Sequence, residues 1–235
     1  MNNFNHEVTF FTKHPYLVHL AFRAAYFGDS IYLYVPDEQT FIQLEKELAN
    51  ASKFFQDYYG NHSKTIDAFN RVFFIEDATE AVQNKDIIVT SEENKAFYKQ
   101  VLQCAYSNTV FITTVTGPVS NKVMNSSSNI VACRFSNANW EADVVEVMPK
   151  INTSQTVLKK TMCWCKGMSL TPLLLKKANE QFVFDAFRNT LTQVAIDLYK
   201  SGVADKETID ACLTEQTGAY VGPFGMMNAE KQYKH

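Results

Sequence analysis

The chain has 235 residues, of which 46% are hydrophobic, and this is enough apolar material for one large domain or two small ones. Its formal net charge of −3 excludes the basic surface typical of nucleic-acid-binding proteins. No run of about 18 apolar residues occurs, so we expect no membrane span. The start lacks the charged and apolar segments of a secretion signal, and the five cysteines lie mostly in apolar surroundings. We therefore expect a cytoplasmic protein with reduced cysteines and no bound metal.

Strands and helices alternate over the first three quarters of the sequence. Short runs of β-branched and aromatic residues predict strands at 8–11, 31–35, 72–75, 86–89 and 110–113. Helical spacing and capping residues predict helices between them, one ending at Gly28 and others at 37–60, 77–83 and 92–105. This alternation predicts an α/β fold, a Rossmann-like doubly wound sheet with mostly parallel strands.

The pattern changes near Lys176. Before it, one more helix at 154–166 and an apolar strand at 170–175 are predicted. After it, only helices are predicted, the first with an apolar stripe from Val183 to Leu198. The sequence therefore predicts a Rossmann-like domain over residues 1–176, followed by a small all-helical C-terminal domain over residues 177–235.

One acidic residue lies inside a predicted buried strand. Glu146 is surrounded by the β-branched residues Val144, Val145 and Val147. Because a buried carboxylate is costly unless it is paired, Glu146 needs a partner. Arg134, twelve residues upstream at the end of another β-branched run, is the candidate. Two adjacent strand ends would bring these side chains together.

This spacing resembles the 3-hydroxyacyl-CoA dehydrogenase family, whose motif reads H-F-F-N-P followed by L-V-E-V. In that family the histidine is the general base, and the glutamate twelve residues later orients it. Phe135, Asn137 and Glu146 match the motif, and Arg134 stands in place of the histidine. Three segments are also similar to the family's E-G-x-A, D-I-D-x-A and M-G-P-F-E-L-L-D motifs, namely 201–204, 209–211 and 222–224.

The resemblance covers most of the chain. It implies a Rossmann-like domain that binds NAD, a helical domain that forms a homodimer, and a place in fatty-acid metabolism. Family members continue well past the G-P-F motif, so it also implies that the helical domain is shortened here.

The turn after the first strand departs from the dinucleotide pattern G-x-G-x-x-G. Its three glycine positions correspond to Thr12, His14 and Leu17, which all carry side chains. Pro15 also removes a backbone donor at the start of the helix, where donors would meet a phosphate. Two interpretations follow. In one, Lys13 and His14 supply the positive charge that binds a phosphate; in the other, the turn no longer binds a dinucleotide. The second is preferred because the side chain of Leu17 fills space at the third glycine position.

Other cofactor positions are matched in part. The acidic residue that would bind the ribose hydroxyls should end the second strand, and the closest candidate is Asp37. Glu93 and Asn94 match the family's E-N pair, which borders the nicotinamide. The predicted cofactor-binding residues are accordingly Thr12, His14, Asp37, Glu93 and Asn94.

The proton acceptor of the family is missing from the predicted catalytic set. Oxidation of an alcohol by hydride transfer needs a base for the hydroxyl proton, and a guanidinium such as Arg134 remains protonated. No histidine occurs between residues 63 and 234 that could replace it locally. Arg134 can instead satisfy Glu146 with a bidentate ion pair.

Two more positions complete the set. Asp185 occupies the place of the asparagine in the family's G-F-I-V-N-R segment, and Thr116 the place of a serine in S-N-T-S-S. Gly225 and Asn228 replace the glutamate and aspartate of G-P-F-E-L-L-D. The candidate catalytic residues are thus Glu146, Arg134, Asp185 and Thr116.

Two functions remain open. The preferred one is a divergent family member, a pseudoenzyme that lacks hydride transfer, holds no cofactor and binds an acyl-CoA-like small molecule or a partner protein. The alternative is an active NAD-dependent 3-hydroxyacyl-CoA dehydrogenase in which Glu146 or Asp185 is the base.

Overall fold

The computed structural model describes residues 5–91, 95–115, 127–136 and 143–232. The strands are β1 (Glu7–Phe11), β2 (Ser30–Tyr34), β3 (Val72–Ile75), β4 (Ile87–Thr90), β5 (Val110–Thr113), β6 (Ile130–Phe135), β7 (Val144–Pro149) and β8 (Thr171–Leu174). The helices are α1 (Pro15–Tyr26), α2 (Glu38–Tyr59), α3 (His62–Phe69), α4 (Lys95–Cys104), α5 (Gln155–Gly167), α6 (Val183–Lys200), α7 (Lys206–Thr217) and α8 (Pro223–Gln232).

All eight strands form one sheet in the order β3-β2-β1-β4-β5-β6-β7-β8. Neighbouring strands are parallel except at β6 and β7, which pair antiparallel. Helices cover both faces because successive side chains of a strand point to opposite sides. In β1, Val8 and Phe10 join the core cluster that includes α1, α2 and α5, whereas Phe11 packs on the other side. The predicted Rossmann-like, mostly parallel sheet is confirmed.

The chain divides into two compact units, the first ending at Glu180 and the second beginning at Gln181. The first unit contains the whole sheet, and the second contains α6, α7 and α8. In α6 the apolar stripe is present, but only Ala195 of that helix is buried, and Phe187 is 64% exposed. Among the described residues, the structure has no helix long and apolar enough to cross a membrane.

Two local predictions are wrong. No regular helix forms at 77–83. The Asp77 side chain caps a single turn, in which the Ala81 and Gln83 N–H groups donate to the Asp77 and Thr79 carbonyls, and Asn84, with φ of 58°, ends it. Helix α3 was not predicted from the sequence. It begins directly after Gly60, which ends α2 with φ of 64°, and its first turn is capped by the Asn61 side chain.

Candidate functional site

The candidate site lies at the end of the sheet where the carboxyl ends of the parallel strands meet, which is called the ligand edge below. The carboxyl ends of β1, β4, β5 and β6 meet at this edge, which is where open α/β sheets bind their ligands. Because β7 runs antiparallel to β6, β7 begins at the same edge. Thr12, Ser91, Thr114, Arg134 and Glu146 therefore all lie along it.

Arg134 and Glu146 are directly opposite one another in the register of β6 and β7. Opposite residues of an antiparallel pair point to the same face, with Cβ atoms about 5 Å apart. The structure therefore brings these two residues together, as their spacing in the sequence predicts. Glu146 is 6% exposed and Arg134 is half-buried, so a ligand at this edge would meet the arginine more readily than the glutamate. Their catalytic roles stay predictions.

In the turn between β1 and α1, the Thr12 hydroxyl forms hydrogen bonds with protein groups. The backbone N–H of His14 donates to Thr12 Oγ1 at 3.0 Å, and the Thr12 hydroxyl also lies 3.1 Å from Ser91 Oγ at the end of β4. Pro15 is the first residue of α1 and has no N–H to offer. Leu17, at the third glycine position, is fully buried in the core between α1 and the sheet.

A tyrosine that the sequence analysis did not single out lies over this turn. The Tyr16 hydroxyl donates to Thr114 Oγ1 at 3.1 Å, and the rings of His14 and Tyr16 are stacked with centroids 5.8 Å apart. Tyr16 belongs to α1, which follows β1, and Thr114 follows β5. Since β4 lies between β1 and β5 in the sheet, this hydrogen bond passes over the end of β4.

Asp37, the predicted ribose ligand, acts as the N-cap of α2. Its Oδ1 accepts the backbone N–H of Thr40 at 2.7 Å, and its Oδ2 lies 3.9 Å from Lys13 Nζ. The hydrogen bonds from the Thr40 backbone and side chain lower the pKa of the Asp37 carboxyl, and Lys13 adds to this. Both charged groups are exposed, so the carboxylate remains reachable from solvent while it caps the helix.

The remaining predicted residues lie outside the described part of the first unit. Glu93, Asn94 and Thr116 lie outside the described residues. Asp185 lies in the first turn of α6, in the second unit, and its carboxylate is 3.3 Å from Arg188 on the same helix. That ion pair gives Asp185 a structural partner within its own helix.

The G-P-F segment of the second unit has a structural explanation. A Cβ at Gly222 would lie 2.4 Å from Asp210 Cβ, so only glycine fits there. The Asp210 carboxylate accepts the backbone N–H groups of Phe224 and Gly225 at 2.8 and 3.0 Å, which caps the start of α8. Two of the motifs that carry the family resemblance therefore meet as a helix cap.

The fold and its ligand edge define a Rossmann-type unit joined to a helical unit, as found in a class of dehydrogenases. The chain belongs to the 3-hydroxyacyl-CoA dehydrogenase family, whose NAD binding domain model matches residues 19–178. The match begins after the turn of residues 12–17. The description of that domain model names NAD as the cofactor that the domain binds in the family.

Similar proteins include one enzyme matched in sequence and several solved structures that share the fold. The L-carnitine dehydrogenase of Oceanobacillus iheyensis is 25% identical over 162 residues, which are 64% of this chain and 53% of that protein. The chain thus spans about half the length of this curated relative. A diketoreductase superposes with a TM-score of 0.84 at 21% identity, covering 94% of this chain and 82% of that chain. The 3-hydroxybutyryl-CoA dehydrogenase of Escherichia coli K12 gives 0.81 at 16% identity, covering 93% and 48%.

Proposed function

We propose that this chain is a ligand-binding member of its family that does not transfer hydride to or from NAD. The observation that carries the proposal is the turn between β1 and α1, where the His14 N–H is already bonded, Pro15 has no N–H and Leu17 fills the third glycine position. Its expected ligand is an acyl-CoA-like compound, held at the edge where Arg134 and Glu146 face each other.

The turn does not fit the pyrophosphate of NAD in the manner of the glycine-rich pattern. A dinucleotide needs free backbone N–H groups and a close backbone approach at the start of the helix. Here the His14 N–H is bonded to Thr12, Pro15 has none, and the Tyr16–Thr114 hydrogen bond passes over the same edge. Leu17 is a core residue, so the helix cannot be brought closer to the sheet without repacking.

Arg134 changes what the catalytic position can do. A histidine there could accept the hydroxyl proton, whereas a guanidinium offers only donors. Donors arranged in a fork suit a carbonyl or carboxylate oxygen, which is what a 3-oxoacyl group carries. Glu146, opposite Arg134, would balance its charge and fix its orientation. Arg134 therefore supports binding of an acyl group through its carbonyl oxygens, and it does not support removal of a proton.

Thermal unfolding with added ligands tests the proposal. We expect acetoacetyl-CoA at saturating concentration to raise the melting temperature by about 5 °C, because a ligand at 100 times its Kd stabilises by about 2.7 kcal/mol. NAD and NADH should produce no shift. Arg134→Gln should abolish the shift from acetoacetyl-CoA. Arg71→Gln is the matched control, since Arg71 is also half-buried but precedes β3 at the opposite edge. A shift from NAD alone would contradict the proposal.

The active dehydrogenase remains the second candidate. It is favoured by the buried position of Glu146 at the ligand edge and by the family's NAD-binding domain. In that case the chain should oxidise a short 3-hydroxyacyl-CoA with NAD, and Glu146→Gln should remove the activity. NADH formation measured by absorbance decides between the two candidates.

A further inference from the structure

A cleft lies at the other end of the strands from the candidate site. It has a volume of about 560 Å³ and lies between the end of β7, the start of α5 and the segment that follows β8. Glu146 and Lys150 are four residues apart, so at about 3.3 Å per residue their Cα atoms are about 13 Å apart along β7. The cleft is therefore distinct from the edge that carries Arg134 and Glu146.

The lining combines positive charge with apolar surface. Lys150, Lys176 and Lys177 line the cleft, and among its described lining residues none is acidic. Apolar side chains form much of the remaining wall: Pro149, Ile151, Leu158, Leu174 and Leu175. The exposed cations Lys176 and Lys177 favour an anion, and apolar walls favour a ligand with a hydrocarbon part.

The base of the cleft is built from buried groups. Lys150 is 3% exposed and Leu158 is also buried. The backbone N–H of Lys150 donates to Thr153 Oγ1 at 2.7 Å, and the Thr153 hydroxyl donates to the Ile130 carbonyl at 2.6 Å. These bonds hold the segment between β7 and α5 against the start of β6. The main chain at Lys150 is therefore held in place by hydrogen bonds.

We propose that this cleft binds a small amphiphilic anion, a compound with a phosphate or carboxylate head group and a short hydrocarbon chain. Lys176 and Lys177 bind the head group, and Leu158, Leu174 and Leu175 contact the hydrocarbon chain. Exposed leucines at the end of β8 are consistent with this, since Leu174 is 49% exposed at the cleft. This inference does not depend on the function proposed for the other edge.

Isothermal titration with octyl phosphate, octanoate and inorganic phosphate tests the proposal. We expect one of the two octyl compounds to bind at one site at least tenfold more tightly than phosphate alone, and the tighter one identifies the head group. The double variant Lys176→Gln/Lys177→Gln should weaken binding at least tenfold. Both lysines are exposed, so they can be replaced without disturbing the core.

The control is Lys159→Gln, an exposed lysine of α5 outside the lining, which should leave binding unchanged. Arg134→Gln should also leave it unchanged, which separates this cleft from the candidate site. No heat with either octyl compound at millimolar concentration would overturn the proposal. Equal affinity in the double variant, or equal affinity for phosphate alone, would overturn it as well.

Discussion

The side chain of Asp210 occupies the space that a Cβ at Gly222 would need. Gly222→Ala should therefore destabilise the second unit by about 1–3 kcal/mol, the usual cost of forcing extra volume into a packed site. The control is Gly167→Ala, because a Cβ there meets nothing within 4 Å. Urea unfolding followed by circular dichroism measures both. Equal stability of the two variants would show that the Asp210 contact is not tight.

A pH dependence is expected from His6 and Asp29. His6 Nδ1 lies 3.1 Å from Asp29 Oδ1, and this hydrogen bond raises the pKa of His6 despite partial burial. Because the pKa of His6 is higher in the folded chain than in the unfolded chain, the hydrogen bond contributes its full stability below the unfolded-state pKa of about 6.5. This contribution is lost as the pH rises through the folded-state pKa. His6→Ala should therefore cost on the order of 1 kcal/mol at pH 5.5 and less at pH 8.5. Urea titrations at both pH values test this; a larger cost at pH 8.5 would contradict it.

Asp29 also joins the sheet to α5. The Trp164 indole N–H donates to Asp29 Oδ2 at 2.8 Å, and both side chains are buried. Trp164→Phe keeps the aromatic packing but leaves a carboxylate oxygen without this donor, so we expect a loss of about 1–3 kcal/mol. The measurement is the urea midpoint of the variant. A midpoint unchanged from the parent chain would show that water replaces the indole without cost.

Arg23 is buried and links α1 to the segment after α5 and to the residue before β7. Its Nε donates to the Met168 carbonyl at 2.8 Å, and its guanidinium is 2.7 Å from the Asp143 carboxylate. Arg23→Met should destabilise by about 1–3 kcal/mol because the buried Met168 carbonyl loses its donor. Arg23→Lys should not restore stability, since an ammonium cannot reproduce the fork of donors. Thermal unfolding of both variants tests this, and rescue by lysine would show that charge alone suffices.

The apolar stripe of α6 leads to a prediction about assembly. The family resemblance implies a homodimer, and Phe187 and Val194 on this helix are more than half exposed. If the stripe is the dimer contact, light scattering should give twice the chain mass of 26.7 kDa, and Phe187→Glu should return the single-chain mass. Lys200→Glu, a charge change at the end of the same helix, is the control. A single-chain mass for the parent chain contradicts the prediction.

The sequence predicted the sheet because its strands are regular. Runs of β-branched and aromatic residues mark the strands, and caps such as Asp37 and Gly60 mark the ends of α2, and both patterns are present in the structure. The segment at 77–83 has similar helical spacing, and Asp77 caps it as a helix start would, but the left-handed conformation of Asn84 ends it after about one turn. The spacing of apolar residues does not reveal where such a turn ends.

The candidate site was predictable only where its parts are close in sequence. Arg134 and Glu146 are neighbours through one antiparallel pair, so their spacing indicates the contact. Tyr16 and Thr114 are 98 residues apart, and their contact depends on the order of β1, β4 and β5. The role of Gly222 likewise depends on where Asp210 lies, which spacing alone does not give.

The reversed direction of β7 has an evolutionary consequence. It places an acidic group at the ligand edge on a hydrogen-bonded strand, whereas most such groups would sit on loops. A substitution at the opposing position of β6 can then change or remove an activity while the main-chain pairing of β6 and β7 stays the same. Proteins with this arrangement can lose a catalytic activity and keep their fold.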